Sequence, residues 1–96
     1  MIINYNSITI TYMQHDKKEN IKILAKRIKK LRLEQSNSLN KFCFTKGNVT
    51  SATWSRIENA LVDPKFSTLI EVSRMLGITL EELFKNLKLN YIENAN

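Results

Sequence analysis

Apolar residues recur along this chain with two different periods. Over residues 2–13 they alternate loosely, with Ile8, Ile10 and Tyr12 on one side and Ser7, Thr9 and Thr11 on the other, which is the period of a half-buried strand. A lone strand leaves its backbone unpaired, so the segment is expected to pair with a second copy of itself, to pack on the domain, or to stay mobile. Met13 directly precedes an ordinary helix start, so residues 1–12 also read as an upstream extension. From Asp16 the spacing becomes helical and predicts a first helix to about Ser36, with Asp16 and Glu19 placed favourably at its N-terminal end. At about 100° per residue from Ile21, the residues Leu24, Ala25, Ile28 and Leu31 all fall within about 80° of it. Lys22, Lys26, Arg27, Lys29 and Lys30 lie off that stripe. Arg32 falls at about 20°, in the middle of it. A buried guanidinium costs several kcal/mol unless it is paired, so Arg32 demands a carboxylate elsewhere in the fold.

Four more helices follow from the same reasoning. Ser38 is a good N-cap for a short second helix with Leu39, Phe42 and Cys43 inward. Gly47 supplies the backbone freedom of a sharp turn. Thr50 can cap a third helix, Ser51 to about Asn59, on which Trp54, Ile57, Glu58 and Leu61 share one face while Ala52, Ser55, Arg56 and Asn59 share the other. Glu58 on the apolar face poses the same problem as Arg32, and the economical solution is that the two pair and clamp the first helix to the third. Asp63-Pro64 breaks the chain. A fourth helix is expected from about Ser67 to Leu76, with Leu69, Val72 and Leu76 at helical spacing, Phe66, Ile70 and Met75 adding apolar bulk, and Gly77 as its stop. Thr79-Leu80-Glu81-Glu82 matches a capping box and opens a fifth helix with the stripe Leu80, Leu83, Phe84 and Leu87.

Composition narrows the function classes. With 96 residues, 43% of them hydrophobic, the chain suits one all-α domain over residues 16–88, preceded by an extension or arm at 1–15 and followed by a tail at 89–96. Its single cysteine, Cys43, allows no intrachain disulfide, and His15 stands alone, so neither a metal nor a cofactor is expected. No run of about 18 apolar residues and no secretory signal is present, so the reading is cytoplasmic with no membrane span. The net charge is +6, and the excess is uneven: residues 1–50 hold 10 basic and 3 acidic side chains, residues 51–96 hold 5 and 6. Such asymmetry points to an anionic partner, nucleic acid first and an anionic membrane surface second. An AT-rich genome that inflates lysine is the bland alternative. No serine has the His and acidic neighbours of a nucleophile, and two glycines make no phosphate loop, so an enzyme is not expected.

Two short helices around a turn within a five-helix pattern resemble the DNA-binding domains of the lambda repressor and Cro-like family, also called the Xre family. The resemblance covers residues 21–87. Ile28-Lys29-Lys30-Leu31-Arg32 looks like the end of the family's first helix, Ser38-Leu39-Asn40-Lys41-Phe42-Cys43 like its second, Ser55-Arg56-Ile57-Glu58-Asn59 like the end of its recognition helix, and Pro64 through Phe84 like its fourth and fifth. The family also shows an arginine–glutamate pair corresponding to Arg32 and Glu58. The chain departs from the pattern in three places. It is one residue longer between Cys43 and Trp54, with Asn48 as the insertion. Ala60 stands where glycine commonly ends the recognition helix, and Ser51 and Ala52 are small where many relatives carry long side chains.

The resemblance implies a sequence-specific transcription regulator that binds double-stranded DNA, expected as a homodimer on a palindromic operator. Its dimer contacts would come from helix five, the tail or the N-terminal strand. Residues 1–15 read either as a disordered upstream extension or as a dimerising or DNA-touching arm. Base reading would fall to Ser51, Ala52, Ser55 and Arg56, with Arg56 bidentate to a guanine. Thr50, Asn59, Lys65 and Lys41 would hold phosphates. The competing reading keeps the fold but uses it to bind a protein such as a toxin or a polymerase, as an antitoxin does. Trp54, which shares its face with Ile57, and Cys43 read as core residues.

Overall fold

Helices account for the regular structure of residues 5–90, the part described by the computed structural model, with side chains described from Lys17 on. Helix α1 runs over Tyr5–Gln35, α2 over Leu39–Lys46, α3 over Ser51–Glu58, α4 over Phe66–Leu76 and α5 over Leu80–Phe84. No strand occurs among the described residues, so the architecture is all-α. The first three residues of the expected strand, Ile2, Ile3 and Asn4, and Tyr91 and Ile92 of the tail lie outside them.

The strand expected over residues 2–13 is overturned where it is described, because Tyr5 to Met13 are helical and run into α1 with no break at Asp16. The physical reason is backbone pairing. A helix closes its hydrogen bonds within the segment, whereas a single strand needs a neighbour. Extending a helix that already exists also avoids the cost of nucleating a new one. Alternating Ile and Thr express only a weak preference for extended backbone.

Local chemistry starts three of the other helices. The Ser38 hydroxyl accepts from the Lys41 N–H at 3.2 Å, Thr50 accepts from Thr53 N–H at 3.2 Å, and Thr79 accepts from Glu82 N–H at 3.0 Å. α4 begins one residue earlier than its pattern suggests, at Phe66, without a side-chain cap. Their inward faces close one core in which Ile28 of α1, Trp54 of α3, Val72 of α4 and Leu83 of α5 have no exposed surface. Phe42 of α2 meets Trp54 edge to face, with ring centroids 4.9 Å apart and planes at 65°. Cys43 is buried beside them, and burial raises its thiol pKa, which keeps it an inert small hydrophobe. The buried Ser73 hydroxyl is satisfied by the Ile70 carbonyl at 2.8 Å.

Two helix ends differ from the periodic pattern. α3 stops at Glu58, and Ala60 turns the chain with a left-handed φ of 58°. The Ala60 N–H donates to the Ile57 carbonyl at 3.1 Å and the Leu61 N–H to the Arg56 carbonyl at 2.9 Å, the paired bonds of a Schellman ending. Leu61 therefore leaves the inward face on which it was expected and is 71% exposed. Phe66 and Ile70 on α4 are exposed too, and their apolar bulk does not enter the core. α5 stops at Phe84, so Leu87 lies beyond it and packs against the core from the chain that follows Asn86, itself at φ 64°.

A side chain from α1 compensates for the shortness of α5. The guanidinium of Arg27 donates to the carbonyl of Leu83 at 3.2 Å and to that of Glu82 at 3.0 Å, which also accepts from the Lys85 N–H at 3.2 Å, so Arg27 adds donors where α5 ends. Asn20 exchanges two hydrogen bonds of 2.6 Å with the backbone of Asn90, which ties the chain after α5 back to α1.

Left-handed backbone costs an L-residue about 1–2 kcal/mol. Ala60→Gly is accordingly expected to stabilise the fold by about 0.5–1 kcal/mol after the added freedom of the unfolded chain is subtracted. Urea denaturation of the two proteins checks this, and a lower midpoint for the glycine variant contradicts it.

Candidate nucleic-acid interface

The α2–turn–α3 segment is held from behind by one buried ion pair. Arg32 of α1 donates through Nε to Glu58 Oε2 at 2.9 Å and through Nη2 to Glu58 Oε1 at 2.7 Å. Its Nη1 reaches the carbonyls of Ser36 and Asn37 at 3.1 and 3.2 Å, just beyond the end of α1. The Trp54 indole N–H donates to Glu58 Oε2 at 2.6 Å. The two charged side chains are only 6% and 5% exposed, so this pair lies inside the fold. Hydrogen bonding to Glu58 raises the Arg32 pKa above its ordinary value and outweighs burial, which acts the other way. The Arg32–Glu58 pair thus joins α1, the loop leading to α2, and the core tryptophan of α3.

The turn between α2 and α3 runs through two successive positions of positive φ, Gly47 at 87° and Asn48 at 44°. Glycine tolerates such a φ freely and asparagine better than most residues. The Asn48 amide donates to Glu71 Oε1 at 2.9 Å, which fastens the turn to α4. Arg74 donates to the same oxygen through Nε at 3.0 Å and Nη2 at 2.7 Å. These bonds, Arg74 first and Asn48 second, hold the Glu71 carboxyl below its ordinary range. Val49 is buried in the core immediately before the cap residue Thr50. Sequence reasoning missed it, although an apolar residue just before an N-cap with another, here Trp54, four positions into the helix is the signature of a hydrophobic staple.

With Trp54, Ile57 and the Glu58 carboxylate turned inward, α3 presents an outer line of Ala52, Arg56 and Asn59, all exposed, at spacings of four and three residues. Ser51 and Ser55 flank it and are half-buried. The Arg56 side chain makes no hydrogen bond or ion pair among the described residues, and the only carboxylate on its own helix is buried and neutralised by Arg32. Asn59 is committed differently: its amide donates to the Ser55 carbonyl at 2.8 Å and the Ser55 hydroxyl at 3.3 Å. Thr50 has its hydroxyl engaged with Thr53. Lys41 in the first turn of α2 and Lys65 at the start of α4 are exposed and form no ion pair among the described residues. Lys17 and Asp63 form an exposed pair at 3.4 Å, of little energetic weight.

Among the described residues no three His, Cys, Asp or Glu side chains gather as metal ligands, and no helix is long and apolar enough to cross a membrane. Compared with known proteins, the chain matches no family model, no curated protein and no solved structure.

Glu58→Ala strands a buried guanidinium and the Trp54 indole together, and is expected to cost about 3–5 kcal/mol in denaturant unfolding. The double replacement Arg32→Met with Glu58→Leu removes both charges and should lose clearly less than Glu58→Ala alone. A melting temperature that barely moves in Glu58→Ala contradicts the clamp. For Glu71 the folded pKa is depressed, so its contribution is present above the ordinary glutamate value of 4.5 and is lost as pH falls through the folded value. An NMR titration should show the Glu71 carboxyl moving up toward that ordinary value in Arg74→Ala, and by less in Asn48→Ala.

Proposed function

We propose that this chain is a sequence-specific double-stranded DNA-binding transcription regulator of the lambda repressor and Cro-like kind, acting in the cytoplasm as a homodimer on a palindromic operator. The observation that carries the reading is Arg56: an exposed guanidinium with no ion pair among the described residues, in the last turn of an eight-residue helix whose opposite face is locked into the core. An α-helix with its side chains is about 10–12 Å across and the major groove is about 12 Å wide, so α3 fits there with its outer line toward base edges. A guanidinium held on a rigid support is the group best suited to bidentate contact with a guanine. Ala52 would meet a thymine methyl, and Ser51 and Ser55 would make short contacts. Lys41 and Lys65 would neutralise phosphates alongside Thr50 and the N–H groups opening α2 and α3. Asn59 could join them only by releasing Ser55. In a dimer the two recognition helices would enter successive major grooves about 34 Å apart.

Binding of a protein partner, a toxin or a polymerase, is the second reading, and exposed apolar side chains favour it. Phe44 on α2 is 92% exposed, and Leu61 and Phe66 are also open. Catalysis forms no part of either reading.

Selection of bound duplexes from a random pool separates the two. The regulator reading expects a palindromic consensus and an affinity that falls linearly with salt on a log–log plot. Enrichment of nothing, with no salt-dependent binding to any duplex, overturns it. Arg56→Ala should relax preference at one guanine by about 1–3 kcal/mol with the melting temperature unchanged, whereas an equal loss on every sequence would move Arg56 to the phosphates.

A further inference from the structure

The outward face of α1 carries a second cationic surface with a different character. Lys22, Lys26, Lys29 and Leu33 follow one another at spacings of four, three and four residues, and Lys30 lies beside them, so all five share one side of the helix. Lys26, Lys29, Lys30, Leu33 and Glu34 line a shallow open groove of about 480 Å³. Its walls are mainly carbon, made by the Leu33 side chain, 43% exposed, and the lysine stems, with the ammonium groups at the rim. Lys26, Lys29 and Lys30 form no ion pair among the described residues, whereas Lys22 is paired with Glu19 at 3.5 Å. Like charges three and four residues apart weaken a helix, so this cluster does nothing for α1 itself.

We propose that this groove binds an acidic amphipathic segment of a partner protein, with an apolar side chain over Leu33 and carboxylates on Lys26, Lys29 and Lys30. Charge complementarity requires an anionic occupant. The apolar floor selects a polypeptide, because a phosphodiester backbone has nothing to cover the exposed Leu33, whereas an amphipathic segment does. Arg32 and the core stripe occupy the other side of α1, so the groove faces away from the helix that packs on them, and a partner seated here leaves the outer line of α3 open. The surface stands independently of DNA binding.

Isotope-labelled full-length protein titrated with three probes tests the assignment: a synthetic helical peptide of glutamates with a leucine row, polyglutamate of equal charge, and a random DNA duplex. The leucine-bearing peptide should shift the backbone resonances of residues 26–34 and bind at least tenfold more tightly than polyglutamate. Leu33→Ser should remove that advantage. Lys29→Glu should weaken the acidic peptide at least tenfold and favour a peptide of the same pattern with lysines. All replaced side chains are exposed, so melting temperatures should stay within a degree or two. Equal affinity for polyglutamate, no effect of Leu33→Ser, or stronger shifts of residues 26–34 by the duplex would each overturn the proposal, the last in favour of a phosphate-binding surface.

Discussion

The two-pronged bond between Arg32 and Glu58 is the constraint on which the rest of the structure depends. Neither charge could sit at its depth alone, since desolvation of each exceeds anything its apolar neighbours return. Together they satisfy one another, and further bonds tie the pair to its surroundings. Arg32 Nη1 closes the carbonyls of Ser36 and Asn37, and Trp54 supplies Glu58 with a further N–H. The pair does not have to stabilise the fold relative to an apolar pair. What it does is fix orientation: a fork-shaped donor and a planar acceptor have few compatible geometries, so α3 can take few rotations relative to α1.

That fixed rotation links packing to function. If the inward face of α3 is set by Trp54, Ile57 and Glu58, the outward line of Ala52, Arg56 and Asn59 is set as well, because the helix has only one way to turn. The proposed base contact needs such rigidity, since a bidentate hydrogen bond tolerates little angular error. The turn in front of α3 is held by a separate device, the Asn48–Glu71–Arg74 cluster, which fastens Asn48 against α4. Two of the positive-φ residues lie at the ends of this unit. Left-handed backbone at Asn48 and at Ala60 brackets α3, one eased by an asparagine side chain with a partner, the other carried by an alanine with none.

The surface divides according to charge and carbon. The outer line of α3 holds one long cation among small residues, which suits base edges in a groove. The outer line of α1 holds several ammonium groups around an exposed leucine, which suits carboxylates on an amphipathic chain. A net charge of +6 does not distinguish these surfaces. Only the presence or absence of an apolar floor does.

The sequence by itself determined the helices that carry strong local signals and the residues that were anomalies within them. Ser38, Thr50 and Thr79 start helices by bonding within three residues, and such chemistry is readable without a fold. Arg32 and Glu58 stood out because an ionised group in an apolar stripe has no stable solution except a partner. Tertiary structure alone decided what local signals could not carry. Arg27 looked like a surface cation, yet it closes carbonyls 56 and 55 residues away, and a backbone acceptor leaves no trace in residue type. Leu61 continued a helical period past the point where Ala60 turns the chain, so its face was extrapolated from a helix that had already ended. Residues 5–13 carried the alternation of a strand, but pairing is a property of neighbours, and with none the backbone joined the helix beside it.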